Sequence, residues 1–117
     1  MDKSIKAAVA MLVAGVAVAA NAQEVVKIGT MSPLSGPQAH YGKDNVTGVR
    51  FAVEDLNTQG VTIGGKKIKF EVVAEDDAAD PKQGTAAAQK LCDDKVAAVA
   101  GILNSGVAIP SSKIFND

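Results

Sequence analysis

The stretch EDDAADPKQGTAAAQKLCDDKVAAVAGIL, Glu75–Leu103, carries a strand end, a whole helix and the following strand without a break. Asp80 stands where an N-cap carboxylate accepts the first free N–H groups, and Pro81 follows at the first helical position, where a missing N–H is harmless. Ala87, Ala88, Leu91 and Cys92 recur at helical spacing and form the buried stripe. Asp94 and Lys95 then lead into Val96–Leu103, an unbroken apolar run of the kind found when a parallel strand is covered on both faces. A strand, a helix and a second such strand make one βαβ unit with a right-handed crossover.

Upstream the same alternation is present. VVKIGTMSPLSGP from Val25 is a β-branched segment that dissolves into Ser, Pro and Gly, a strand followed by a loop. From about Tyr41 to Thr58, Tyr41, Asn45, Val49, Ala52, Val53 and Leu56 recur at three- and four-residue steps, which predicts an amphipathic helix. GVTIGGKK then predicts a tight connection or small hairpin. Ile68, Phe70, Val72 and Ala74 alternate with Lys69, Glu71 and Val73 in a second strand that ends on Glu75, Asp76 and Asp77. Downstream of Leu103 come Asn104, Ser105 and Gly106, and a last helix is predicted from about Ile109. The order β-α-β-α-β-α predicts an α/β fold with a doubly wound parallel sheet. Three such strands leave an edge unpaired and apolar helix surface uncovered, so residues 23–117 are expected to be the front part of something larger.

Composition sets the outer bounds. The 117 residues are 47% hydrophobic, 21% charged and 3% aromatic, enough for one modest domain at most. Met1–Ala22 has Lys3 and Lys6 ahead of an Ala/Val-rich run and closes on Ala20, Asn21 and Ala22. That pattern predicts a signal peptide cut after Ala22 and an exported chain. The apolar run is too short for a helix that spans a bilayer. Cys92 and His40 are single, so no internal disulfide and no zinc set can form. A net charge of -1 and no basic tract beyond Lys66 and Lys67 speak against nucleic acid.

In open α/β sheets ligands sit at the carboxyl ends of strands, which here means Ser32–Tyr41, Asp76–Asp80 and Asn104–Ile109. None contains a Gly-rich phosphate motif, so no nucleotide cofactor is expected. Glu75, Asp76 and Asp77 read either as Mg²⁺ ligands or as a solvated loop that also caps the next helix. Ser105 cannot be a nucleophile elbow, because Leu103 replaces the first glycine and no base is at hand. No catalytic residue is assigned. The Ser105 hydroxyl and the free N–H groups of a helix start can hold a carboxylate, with Asn104 and Gly106 in the same loop; equally, Ser105 can serve only as a cap. Tyr41 reads as an apolar cover for a ligand or as an ordinary residue of its helix.

The blocks PLSGPQAHYGKDNVTGVRFAVEDLN, EDDAADPKQGTAAAQKL and VAGILNSGVAIPSSKIFND, taken together, closely resemble the N-terminal end of the periplasmic leucine/isoleucine/valine-binding proteins of branched-chain amino acid ABC transporters. The resemblance implies a two-lobed type I periplasmic-binding fold without enzymatic activity. It further implies leucine, isoleucine or valine as ligand and an inner-membrane ABC permease complex as partner. It places the ligand α-carboxylate on Ser105 and the aliphatic side chain under Tyr41. Relatives often carry His where Ile102 stands and hydroxyl residues where Gly106, Val107 and Ala108 stand; some bridge two cysteines at the positions of Ala79 and Asn104. A truncated product with no ligand binding of its own is the alternative.

Overall fold

A computed structural model of the chain describes residues 23–116. The signal peptide predicted over residues 1–22 lies outside the described residues. Seven elements follow one another: β1 (Glu24–Ser32), α1 (Ala39–Gln59), β2 (Thr62–Ile63), β3 (Lys66–Asp76), α2 (Pro81–Asp93), β4 (Ala98–Val99) and α3 (Ser105–Asn116). They form a four-stranded sheet of order β2-β3-β1-β4, so β1 is central and the chain winds outward from it in both directions. β1 pairs with β3 in parallel from Glu24↔Ile68 to Ser32↔Asp76, and with β4 in parallel at Ile28↔Ala98 and Gly29↔Val99. The glycine-rich turn after α1 is the expected hairpin: Thr62–Ile63 pair antiparallel with Lys66–Lys67, and Gly64 and Gly65 take the positive φ that its turn requires.

The period of two along β1 assigns its faces. A Cβ on Gly29 would meet Leu91 of α2 and Val96, whereas Ser32 bonds to Asn45 of α1. α1 therefore covers one face of the sheet, and α2 and α3 cover the other. The main core lies on the second face, where Met31, Ala87, Ala88, Leu91 and Val107 are buried against Val73, Val99, Ile102, Ile114 and Phe115. Leu91 is wholly enclosed, which contributes about 2 kcal/mol. The cap of α2 is as the sequence predicts: the Asp80 carboxylate accepts the Gln83 N–H at 2.8 Å, with Pro81 opening the helix.

Three expectations are corrected. Of the predicted stripe of α1, Val53 is buried and Asn45 and Val49 are half-buried, but Tyr41, Ala52 and Leu56 are exposed; the fully buried positions are Gly42, Val46 and Val53, because the backbone at Gly42 lies directly against Pro33 and turns the helix onto that side. The third parallel strand is only two residues long, because Lys95 and Gly101, both at positive φ, end the extended run on either side. The last helix begins at Ser105 rather than near Ile109, and it takes Pro110 into its interior at the loss of one backbone bond. Among the described residues no helix is long and apolar enough to cross a membrane.

Candidate functional site

All three parallel strands point their carboxyl ends the same way, so the loops after β1, β3 and β4 share one edge of the sheet. At that edge all three helices begin, and α1 and α3 flank the candidate site. Asn104 occupies the cap position of α3, its carbonyl accepting the N–H groups of Val107 at 3.0 Å and Ala108 at 2.9 Å. Ser105 and Gly106 are the first two helical residues and both are exposed. Among the described residues no acceptor meets their N–H groups, as geometry requires for a first turn. Ser105 is thus not the cap that one reading of the sequence made it: Asn104 stands at that position, and Ser105 is an exposed residue of the first turn.

The cap is itself tied across the sheet edge. Asn104 Nδ2 donates to Gln38 Oε1 at 2.9 Å, joining the start of α3 to the residue that precedes α1, while the buried Asn104 Oδ1 has no hydrogen-bond partner among the described residues. Tyr41, in the first turn of α1, is 59% exposed, and its ring lies 3.9 Å from that of His40, tilted by 40°. An exposed phenol ring beside a helix start offers an apolar surface with a polar tip. A negative group over the first turn of α3 meets two free N–H donors, a hydroxyl and the positive end of the helix dipole.

The acidic run holds no metal set: among the described residues no cluster of three or more His, Cys, Asp or Glu side chains could coordinate an ion. Nor is it a solvated run that caps α2, since each carboxylate has its own task within the fold. Glu75 pairs with Lys90 at 2.5 Å, and that hydrogen bond and charge hold the lysine above its usual range. Asp76 Oδ1 gathers the N–H groups of Leu34, Ser35 and Ala78. Asp77 is buried, accepts the Ala79 N–H at 2.8 Å through Oδ1, and among the described residues its Oδ2 has no partner. Burial pushes its carboxyl up against the pull of that N–H, and the neighbouring Asp76 adds to the rise. Ala78 and Ala79 take positive φ to make these bonds, strain that Asp76 and Asp77 offset.

Sequence reasoning missed Ser32, Gln38 and Asn45, which hold the loops after β1 and β4 together. Asn45 Nδ2 donates to Ser32 Oγ at 2.7 Å and to the carbonyl of Gly101, and Ser32 Oγ donates to the same carbonyl at 3.1 Å. The available signal was an asparagine inside the apolar stripe that runs from Tyr41. The open groove between α1 and β3, lined by Arg50, Val53, Glu54, Asn57, Thr58 and Val72, lies toward the other end of the strands.

The sequence profile described as periplasmic binding protein matches residues 25–117. The chain is 40% identical over 112 residues to the Leu/Ile/Val-binding protein BraC3 of Rhizobium johnstonii, covering 96% of this chain and 30% of that protein. The crystal structure of LivJ from Streptococcus pneumoniae, a branched-chain amino acid transporter substrate binding protein in complex with isoleucine, superposes with a TM-score of 0.70 at 30% identity, over 80% of this chain and 26% of that one. A solute binding protein of an ABC transporter from Rhodopseudomonas palustris, in complex with 3,4-dihydroxy benzoic acid, gives 0.62 at 33% identity, over 77% and 24%. The chain spans about a quarter to a third of the length of these relatives. With a parallel sheet whose strand-end loops lead into three helix starts at one edge, and a family profile matched from β1 to the last residue, the chain belongs to the periplasmic binding protein family, whose members bind solutes and are not enzymes.

Proposed function

We propose that residues 23–117 form the front part of the first lobe of a periplasmic receptor for branched-chain amino acids, exported with loss of residues 1–22 and serving an inner-membrane ABC permease. The observation that carries the proposal is the opening of α3 at Ser105 and Gly106: two unpaired N–H groups and an exposed hydroxyl at the carboxyl end of a parallel sheet. A carboxylate suits that set, because the charge is met by donors that need no reorganisation. Tyr41, exposed at the start of the neighbouring helix, would cover the aliphatic part of the ligand. The names of the relatives support leucine, isoleucine or valine, and the aromatic acid held by one structural neighbour supports the carboxylate as the feature that is read in common.

Isothermal titration of the full exported protein with leucine, isoleucine, valine and 3,4-dihydroxybenzoate tests the reading. Saturable binding of the three amino acids, lost on amidation of the carboxylate and weakened roughly tenfold or more by Ser105→Ala, is expected. Preference for the aromatic acid would overturn the ligand class, and binding indifferent to both amidation and Ser105→Ala would overturn the site.

A further inference from the structure

We infer that Asn45 is the positioning residue of the Ser105 site; the inference rests on the functional reading above for its ligand and on geometry alone for its mechanism. β4 leaves the sheet just after Ala100, whose N–H donates to the Gly29 carbonyl at 2.9 Å in the last bond of that ladder. The next residue, Gly101, turns away at φ +74, a conformation that side chains other than glycine's oppose. What holds that turn is a closed ring of three hydrogen bonds. Asn45 Nδ2 has two hydrogens, and one goes to Ser32 Oγ while the other goes to the Gly101 carbonyl; the Ser32 hydroxyl donates to that carbonyl's second lone pair. Every donor in the ring is used, and only the amide nitrogen of Asn45 fits, since a carbonyl oxygen faces it.

The contact is also steric. A Cβ on Gly101 would lie 3.1 Å from Asn45 Nδ2 and 3.2 Å from Val49 Cγ2, so the glycine backbone rests directly on α1. Three residues later Asn104 is tied to Gln38, just ahead of α1. The segment Gly101–Asn104 is therefore fastened to the same helix start at both ends, and Ser105 is the next residue. Asn45 lies one turn beyond Tyr41 on α1. One side chain thus fixes the turn that aims the carboxylate donors relative to the helix that carries the apolar cover, while touching no ligand itself.

Asn57 supplies the internal control. It makes the same kind of clamp on α1 three turns further on, its amide donating to the Phe70 carbonyl at 2.9 Å and accepting the Phe70 N–H at 2.8 Å, near the opposite end of the strands. The experiment compares Asn45→Leu, Ser32→Ala and Asn57→Leu in the full exported protein by two readouts. The first is the backbone amide NMR shifts of Ser105 and Gly106 without ligand. The second is the ratio of leucine to leucinamide affinity. Asn45→Leu is expected to move both amides and to lower the ratio roughly tenfold, with Ser32→Ala acting in the same direction more weakly and Asn57→Leu changing neither. Should Asn45→Leu fail to fold, Ser32→Ala alone decides, since it breaks two of the three bonds and keeps the amide on Gly101. Unmoved amides in the folded Asn45 or Ser32 variant, or equal movement in Asn57→Leu, would overturn the inference. If the unaltered protein binds no amino acid, the functional reading fails by itself, and the amide shifts still decide whether Asn45 positions Ser105.

Discussion

The Asp76 carboxylate, at the end of β3, accepts the backbone N–H of Leu34, in the loop after β1, at 2.8 Å. The same oxygen takes the N–H groups of Ser35 at 3.3 Å and Ala78 at 2.8 Å, so one charge organises two of the three loops at the site. Partial burial raises its proton affinity, but hydrogen bonds from the Ser35 side chain and from the Leu34, Ala78 and Ser35 N–H groups outweigh it, and the carboxyl lies below its ordinary value of 3.8. A depressed carboxyl stabilises the fold above the unfolded value and loses that contribution as pH falls through the folded one. Asp76→Asn keeps an acceptor and removes the charge. It is expected to lower stability by about 1 kcal/mol near neutral pH, with the deficit shrinking in acid below the folded value, as thermal unfolding at both pH values would read.

Its neighbour behaves in the opposite sense. Asp77 is 0% exposed with one oxygen unpartnered, and burial pushes its carboxyl above 3.8. The folded state then holds the proton more tightly than the unfolded chain, so ionisation in the fold erodes stability as pH rises from 3.8 through the raised value, and the full penalty is present above it. Asp77→Asn preserves the Oδ1 acceptor for Ala79. The substitution is expected to stabilise the protein near neutral pH by on the order of 1 kcal/mol and to have little effect below 3.8. A destabilised Asp77→Asn protein at neutral pH would overturn the expectation that burial of the charge is what erodes stability there.

How much of this was legible depends on the range of the interaction. The cap of α2 could be read because Asp80, Pro81 and Gln83 are adjacent in the chain. Ser105 could be singled out because a small polar residue after an apolar run is a local pattern, though its place inside the first turn rather than at the cap could not. The buried face of α1 was read only in part: of the stripe through Tyr41, Asn45, Val49, Ala52, Val53 and Leu56, Val53 is buried and Asn45 and Val49 are half-buried, while Gly42 and Val46, seated beside Pro33, were not in it. Asn45 was unreadable as a positioning group because its partner carbonyl is 56 residues away, in a turn whose shape no local preference announces.

Two glycines of α1 are expected to respond with opposite signs. A Cβ at Gly42 would overlap the carbonyl of Pro33, which is backbone and cannot give way, while a Cβ at Gly48 would meet nothing within 4 Å. Gly42→Ala is therefore expected to cost on the order of 3 kcal/mol and to displace the adjacent Tyr41. Gly48→Ala, in an open helix interior, is expected to add roughly 0.5–1 kcal/mol by restricting the unfolded chain. Denaturant midpoints of the two variants would check both, and equal effects would mean that α1 does not seat on Pro33.

The last relationship sets how α3 lies on α2. A Cβ at Gly84 would overlap Val107 Cγ1 and come within 3.6 Å of Ser111 Oγ, so the two helices cross where Gly84 lets Val107 approach. Val107 is buried in the main core, which leaves it no room to swing aside. Gly84→Ala is expected to destabilise by about 2 kcal/mol through overpacking, and Val107→Ala by a similar amount through the cavity it opens. Combined, the added methyl at position 84 occupies part of the space vacated at 107. The double variant should be more stable than the sum of the two effects predicts, by on the order of 1 kcal/mol, which a double-mutant cycle measured by urea unfolding would detect. Strict additivity would place the two residues out of contact. Because Ser105 is two residues before Val107 on the same helix, Gly84→Ala alone should also weaken amino acid binding, and the Val107→Ala partner should restore part of it.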